Sequence, residues 1–176
     1  MKKILALVLA LAMVLCAASV LAEDSKDVDD TQHATTTTTD GEPVESLSLI
    51  IIDNTEATQA IIDTFAAAAE AGDVLSAFPE DVRAQIPEGL NQINEMVTAQ
   101  FVGDTEAVAG DLNANVVFKT LFEAGSEAVA VASNGADSWN ILKATPAEDG
   151  SVDIVCPAAF IKAVGNTPFV LAIVNK

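Results

Sequence analysis

The chain has 176 residues, with 26 acidic and eight basic side chains and a net charge of −18 at pH 7. Such an acidic surface repels nucleic acid and anionic membranes, so electrostatics exclude both as partners. The simplest role of this negative charge is to keep the protein in solution.

The first 22 residues indicate a secretory signal peptide. Met1-Lys2-Lys3 is a cationic start, Ile4–Val14 is apolar, and Val20-Leu21-Ala22 has the V-x-A pattern of a cleavage site. Cleavage after Ala22 removes Lys2 and Lys3, which leaves six bases against 26 acids and a net charge of −20. We therefore predict a secreted, extracellular protein that does not contact the membrane after cleavage.

Two alternatives compete with a cleaved signal. The segment 4–22 carries no charge and could just span a bilayer, so it could be retained as an N-terminal anchor. Lipidation of Cys16 is disfavoured, because Leu15 stands where the lipid-modified cysteine of a bacterial lipoprotein follows a small residue. Whether the signal is cleaved or kept as an anchor stays open.

Residues 23–45 are predicted to form a disordered acidic and Thr-rich linker. The run Asp27-Val28-Asp29-Asp30 and the tract Thr35–Thr39 contain almost no apolar side chains. Burial therefore cannot offset the entropy lost on ordering. Order is expected to begin near Ser46, and residues 46–176 suffice for a single globular α+β domain.

The first part of this domain, residues 46–102, is predicted to hold a strand and helices. Ser46–Ile52 alternates and then becomes wholly apolar, as a strand does when it enters a core. Asp53 and Glu56 have the spacing of a capping box, and apolar residues then recur at helical spacing. The pattern predicts a helix over Asn54–Ala71.

Short helices are predicted next, up to Met96. Pro79, Pro87 and Gly89 break the chain, so long helices are excluded. Apolar residues such as Ile93 and Val97 give each short helix one buried face. This helical segment is expected to lie across the sheet.

The second part, residues 103–176, is predicted to form an antiparallel sandwich. Short apolar runs recur at spacings near ten residues, with turn residues such as Asn134-Gly135 between them. Pro157–Gly165 leaves room for two helical turns. The predicted strands are Asp111–Phe122, Ala128–Ala132, Trp139–Lys143, one that ends at Cys156, and Pro168–Asn175, the last of which is predicted to be an apolar, buried strand.

No catalytic, cofactor-binding or metal-binding residues are predicted. The only histidine, His33, lies in the polar linker, where nothing would hold it as a triad base or a zinc ligand. The sequence has one arginine, Arg83, and no glycine-rich phosphate loop, so it lacks the residues that bind phosphate in phosphoryl-transfer enzymes. The carboxylate pairs Glu80-Asp81 and Glu148-Asp149 keep an exported carboxylate-dependent hydrolase as an alternative.

The spacing of Asp111, Asn113 and Asn115 matches the first three ligand positions of an EF-hand calcium site. Val116 replaces the required glycine, and Phe122 replaces the final glutamate. Strand alternation explains this segment better. A weak calcium-responsive adhesin therefore remains only as a further alternative.

Two other residues are predicted to be structural. Cys156 alternates with Val152 and Ile154 on one strand face and is the only cysteine beyond the signal. It therefore forms no intramolecular disulfide, and a buried thiol is favoured over a reactive one. Trp139 is predicted to be a core anchor rather than a ligand platform.

Two stretches carry a weak family resemblance. Met1–Met13 resembles signal peptides of Gram-positive, Clostridia-type bacteria. The run from Trp139 through Asp149-Gly150-Ser151-Val152 to Pro168–Ala172 resembles the immunoglobulin-like β-modules of secreted proteins from such bacteria. The resemblance implies an extracellular β-sandwich and no activity, and the helical stretch Asn54–Met96 lies outside it.

These observations predict an α+β protein in which an N-terminal helical segment packs on an antiparallel immunoglobulin-like β-sandwich, preceded by a disordered Thr-rich tail. The leading hypothesis is a secreted, non-enzymatic interaction or structural module. Its expected partner is a protein or a polymer of the cell envelope.

Overall fold

The computed structural model of the protein describes residues 32–135 and 138–176. The predicted signal peptide, the start of the predicted linker up to residue 31, and the pair Ala136-Asp137 lie outside the described residues. The strands are β1 (His33–Thr38), β2 (Leu47–Ile52), β3 (Gln92–Gly103), β4 (Leu112–Val117), β5 (Ala128–Ser133), β6 (Trp139–Pro146), β7 (Val152–Cys156) and β8 (Phe169–Asn175). The helices are α1 (Glu56–Glu70), the 3₁₀-helix Val74–Ala77, α2 (Glu80–Arg83) and α3 (Ala158–Val164).

All eight strands belong to one antiparallel sheet, in the order β1-β4-β7-β6-β5-β8-β3-β2. The two edge strands lie side by side, because the Leu49 N–H of β2 donates to Thr36 Oγ1 of β1 at 3.0 Å. The Val44 N–H also donates to the Thr36 carbonyl at 3.3 Å. The sheet therefore curls until its edges meet and takes a barrel-like form.

The predicted class, an α+β fold dominated by an antiparallel sheet, is confirmed. The described strands form one sheet, and the immunoglobulin-like sandwich stays a prediction. Continuous pairing of β5 with β8 and of β8 with β3 joins both halves of the chain in one hydrogen-bonded ladder. Strands from both predicted portions therefore belong to one barrel-like sheet.

Strand β8 separates two apolar clusters. Phe169, Leu171 and Ile173 point into the inner cluster, which fills the interior of the sheet, whereas Ala172 and Val174 join the outer cluster. All seven residues of β8 are buried. Burial on both faces explains why this strand lacks polar alternation, as predicted for a buried final strand.

Helix α1, the 3₁₀-helix and α2 cover the outer side of β3, β8, β5 and β6. Helix α1 begins after Thr55, whose hydroxyl accepts the Thr58 N–H at 3.2 Å while Thr58 Oγ1 accepts the Thr55 N–H at 2.8 Å. The helix falls within the predicted range, but its capping box joins these two threonines rather than Asp53 and Glu56. Phe65 anchors α1 in the outer cluster. Among the described residues, no helix is long and apolar enough to cross a membrane.

Strand β1 corrects the prediction of disorder, because it lies inside the linker predicted over 23–45. Its six residues pair with β4 from His33 opposite Val117 to Thr38 opposite Leu112. Threonine has high strand propensity despite its polarity. The β1–β4 ladder and the hydrogen bond from β2 to the Thr36 hydroxyl therefore order a segment with few apolar groups.

Strand β3 corrects the prediction that short helices run to Met96. It begins at Gln92 and contains an irregularity of register between Ile93 and Glu95. Ile93 joins the outer cluster and Val97 the inner cluster. Two apolar residues four positions apart thus imitate a helical face, although they lie on opposite sides of a bulged strand.

Candidate functional site

One end of the sheet, which we call the mouth end, is formed by Thr38, Leu47, Gly103, Leu112 and Cys156. Helix α3 lies across it. The Phe160 ring contacts Phe169 edge-to-face at 5.5 Å and Phe101 at 6.2 Å between ring centroids. These contacts cover the interior at this end and hold α3 in place beside the neighbouring connections.

Two connections flank α3 at the mouth end, residues 39–46 between β1 and β2 and residues 104–111 between β3 and β4. A cleft of about 290 Å³ lies between them. We call it the mouth cleft. Its lining residues come only from these connections and the adjoining strand ends: Thr38, Thr39, Val44, Ser46, Ala107, Val108, Ala109, Gly110, Asp111 and Leu112.

Backbone hydrogen bonds hold both walls of the mouth cleft. The Thr38 N–H donates to the Glu42 carbonyl at 2.8 Å, which tightens the first connection. The Asp104 N–H donates to the Ser46 carbonyl at 3.1 Å and joins the two connections. Asp104 Oδ1 in turn accepts the Ala107 N–H at 3.1 Å. These bonds hold the two connections against each other.

Gly103 allows the two connections to approach this closely. Its φ is +130°, a conformation that L side chains rarely adopt, and a Cβ there would overlap the Ser46 carbonyl oxygen. Leu47 is paired directly opposite Gly103. Glycine is therefore required where the first connection passes over the end of β3.

The lining combines hydroxyl groups with an apolar floor. Val108 and Leu112 are buried members of the inner cluster, and Val44 packs against that cluster. Among the described lining residues, Asp111 is the only carboxylate, and its Oδ1 accepts the Ala158 N–H at the start of α3 at 3.1 Å. The cleft thus offers a small surface for contact but no pair of groups for acid–base or nucleophilic chemistry.

Cys156 lies in the interior, as predicted, and is 2% exposed. Burial raises the pKa of its thiol to about 12. Its Sγ lies 3.9 Å from the Ile154 carbonyl, a weak donor contact. The thiol is therefore protonated at neutral pH and unreactive.

The residues tested for calcium do not converge. Asp111 caps α3 at the mouth end, whereas Asn115 lies on the outward side of β4 and donates to Ser151 Oγ at 2.7 Å and to Asp153 Oδ1 at 2.8 Å. Within residues 32–135 and 138–176, no group of three or more His, Cys, Asp or Glu side chains is placed to hold a metal ion.

The remaining candidate residues lie outside the mouth cleft. Glu80-Asp81 opens α2 and Glu148-Asp149 lies in the turn before β7, both on the surface. The Ser151 hydroxyl donates to Asp149 Oδ1 at 2.6 Å and lowers the pKa of that carboxyl. His33 is an exposed residue at the start of β1.

Trp139 packs between the sheet and the helices. Its ring makes edge-to-face contacts with Phe78 at 5.5 Å and Phe65 at 5.9 Å between centroids. It therefore anchors the outer cluster instead of presenting a free platform.

Sequence reasoning did not find the mouth cleft. Its two walls are about 60 residues apart in the chain and carry no motif. Only the closing of the sheet brings them together.

The fold and the site define an acidic α+β domain with a barrel-like antiparallel sheet, an outer helical layer and a small cleft at one end. No protein-family model, curated protein or solved structure matches the chain.

Proposed function

We propose that the protein is a secreted, non-enzymatic interaction module that holds one group of a larger extracellular partner in the mouth cleft. The partner is a protein or a polymer of the cell envelope. Export rests on the N-terminal sequence pattern, and the resemblance to secreted proteins of Clostridia-type bacteria supports it. The resemblance to the immunoglobulin-like β-modules of such proteins supports an extracellular location and no particular ligand.

The size and lining of the mouth cleft carry the proposal. Pockets for small molecules usually measure about 300–1,000 Å³ and enclose most of the ligand. A cleft of about 290 Å³ between two surface connections is at the lower limit of that range. It suits a side chain or one unit of a polymer, whose remaining parts contact the surface around it.

The charge around the mouth cleft restricts the group that fills it. Exposed carboxylates occupy both connections: Asp40, Glu42, Glu45, Asp104 and Glu106. Lys162, on α3, is a positively charged residue at the mouth end. The resulting negative potential favours an uncharged or cationic group over an anionic one.

Filling the mouth cleft tests the proposal. Ala109→Trp places a large ring in the cleft, and Ala124→Trp makes the same change at an exposed turn outside it. Binding of the purified full-length protein and both variants to envelope preparations and intact producing cells is measured by biolayer interferometry. We expect saturable binding that Ala109→Trp abolishes and Ala124→Trp retains.

Three outcomes would contradict the proposal. The wild-type protein could show no saturable binding, or both tryptophan variants could bind equally. The third is turnover of a glycan or ester substrate that Asp111→Asn abolishes, since this would favour the carboxylate-dependent hydrolase. The intact mass of the exported protein tests secretion separately, because cleavage after Ala22 gives a chain that begins at Glu23.

A further inference from the structure

The mouth cleft combines an apolar floor with a single carboxylate. Val108 and Leu112 belong to the inner cluster, and Val44 packs against it. Asp111 directly precedes Leu112 and is exposed. A group that fills the cleft therefore meets aliphatic side chains and a negative charge within one volume of about 290 Å³.

Helix α3 holds the carboxylate of Asp111 in place. Its Oδ1 accepts the Ala158 N–H at 3.1 Å. Among the residues that the structure describes, none donates to Oδ2 or forms an ion pair with Asp111. The second oxygen is therefore available to accept one hydrogen bond from a ligand.

The carboxylates around the mouth cleft are not neutralised by cations of the described chain. None of the five exposed carboxylates on the two connections forms an ion pair with a described residue, whereas Glu127 and Lys176 pair at 3.1 Å at the opposite end of the sheet. Lys162 is the only basic residue of α3 and the two connections. A bound cation would therefore relieve the repulsion among these carboxylates.

The arrangement of these carboxylates favours an organic cation over a metal ion. Ca²⁺ takes about six to eight oxygen ligands, which have to converge on one point. Across residues 32–135 and 138–176, no three His, Cys, Asp or Glu side chains converge in this way. An organic cation needs only one carboxylate oxygen, and its carbon chain can cover the apolar floor.

Asp111 also favours an ammonium over a guanidinium. A guanidinium pairs best with a carboxylate through two parallel hydrogen bonds. One oxygen of Asp111 already accepts the Ala158 N–H, so this pairing is impaired. An ammonium is a compact charge that a single oxygen can bind, and in lysine it ends a flexible four-carbon stem.

We infer that the mouth cleft takes a lysine side chain of a partner protein. The methylene groups of the lysine contact Val44, Val108 and Leu112, and its ammonium donates to Asp111. The carboxylates of the two connections attract the basic segment that carries this lysine. The inference rests on the proposed function, because it names the group that the mouth cleft holds.

Titrations followed by ¹H–¹⁵N NMR spectra of the purified full-length protein test the inference. The ligands are Nα-acetyl-lysine methylamide, the corresponding norleucine compound, which has the carbon stem without the ammonium, the arginine compound, and CaCl₂. Asp111→Asn removes the charge but keeps an oxygen that can accept the Ala158 N–H, so α3 stays capped. Asp81→Asn makes the same change at an exposed position of α2, outside the cleft.

We expect the lysine compound to shift the amide signals of residues 107–112 saturably, with a Kd in the millimolar range. Asp111→Asn should weaken this binding about fivefold, because an exposed ion pair is lost, while Asp81→Asn binds like the wild type. The inference is overturned if the lysine compound causes no saturable shift or if both variants bind it equally. It is also overturned if the norleucine compound binds as tightly, if the arginine compound binds more tightly, or if only CaCl₂ shifts these signals.

Competition separates this inference from the proposed function. At concentrations above its Kd, the lysine compound should release the protein from envelope preparations, and digestion of the preparations with a protease should remove the binding sites. If Ala109→Trp abolishes binding but the lysine compound does not compete, the proposed function stands and the inference fails. Binding that survives digestion also overturns it, because the partner is then not a protein. If the lysine compound binds through Asp111 but no preparation binds, the lysine site stands and the proposed function fails.

Discussion

The hydroxyl of Thr36 and the backbone N–H of Leu49 join the two edges of the sheet through a hydrogen bond of 3.0 Å. Thr36 lies in an edge strand that pairs with β4, and Leu49 lies in an edge strand that pairs with β3. Elsewhere in the sheet, ladders of backbone hydrogen bonds join neighbouring strands. Between β1 and β2, a side chain supplies this hydrogen bond.

Thr36→Val removes this bond while keeping the shape of the side chain. Because the Leu49 N–H then lacks its partner at a buried residue, we expect a loss of about 1–2 kcal/mol in the free energy of unfolding. Urea unfolding followed by circular dichroism measures it. Thr35→Val is the matched control, since that hydroxyl faces outward on the same strand, and should change stability by less than about 0.5 kcal/mol. Equal effects of the two substitutions would show that the contact between β1 and β2 does not depend on this bond.

Gly103→Ala should destabilise the protein by at least about 2 kcal/mol. The positive φ disfavours alanine, and the new Cβ overlaps the Ser46 carbonyl, which is backbone and cannot rotate away. Gly110→Ala is the control, because no atom lies within 4 Å of a Cβ there; its stability should stay within about 1 kcal/mol of wild type. Thermal and urea unfolding compare the two. A stable Gly103→Ala protein would refute the described approach of the connections.

The buried thiol of Cys156 predicts a change of stability at high pH. Its folded-state pKa is raised from 9.0 to about 12 by burial, so the unfolded state loses its thiol proton first. The stabilising contribution is complete below pH 9 and is lost as the pH rises toward 12, at up to about 1.4 kcal/mol per pH unit.

Comparison with Cys156→Ala isolates this effect from the titration of lysines. The difference in unfolding free energy between wild type and variant should be constant up to about pH 9 and then shift against the wild type. A difference that does not vary with pH would mean that the Cys156 thiol is accessible to water.

The sequence predicted the parts of the fold whose signals are local. The end of β7 at Cys156 was predicted as observed, and the last strand was predicted from Pro168, one residue before the observed start at Phe169, because β-branched runs between turn residues are strong strand signals. β1 was missed because its stability comes from β4, about 80 residues away, and not from apolar side chains of its own. The start of β3 was missed because its bulge gives Ile93 and Val97 a helical spacing.

The neighbours of a residue across the sheet were harder to predict than the strands. Alternation placed Asn113 and Asn115 on the outward side of β4, as observed, but it could not show that Thr35 and Asp153 lie beside Asn115. Those neighbours depend on the order of strands in the sheet, which local patterns do not determine. The mouth cleft depends on the same order.

Leu171→Asp should unfold the protein. Leu171 is 1% exposed in the inner cluster, and a carboxylate there has no partner, so we expect a loss of more than about 4 kcal/mol. Leu121→Asp makes the same change at a residue that is 74% exposed and should cost less than about 0.5 kcal/mol. A cooperative unfolding transition of Leu171→Asp near that of wild type would contradict the inner position of this side chain.

The central claim is that β8 lies in the interior of the barrel-like sheet and is buried on both faces, whereas β1 is a marginal edge strand. Native-state hydrogen exchange under increasing urea tests it most directly. We expect the amides from Val170 to Val174 to exchange only through global unfolding, with an opening free energy equal to that of the whole domain. The amides of β1 should exchange through a smaller, local opening. Exchange of β8 amides through a local opening as low in free energy as that of β1 would contradict the account.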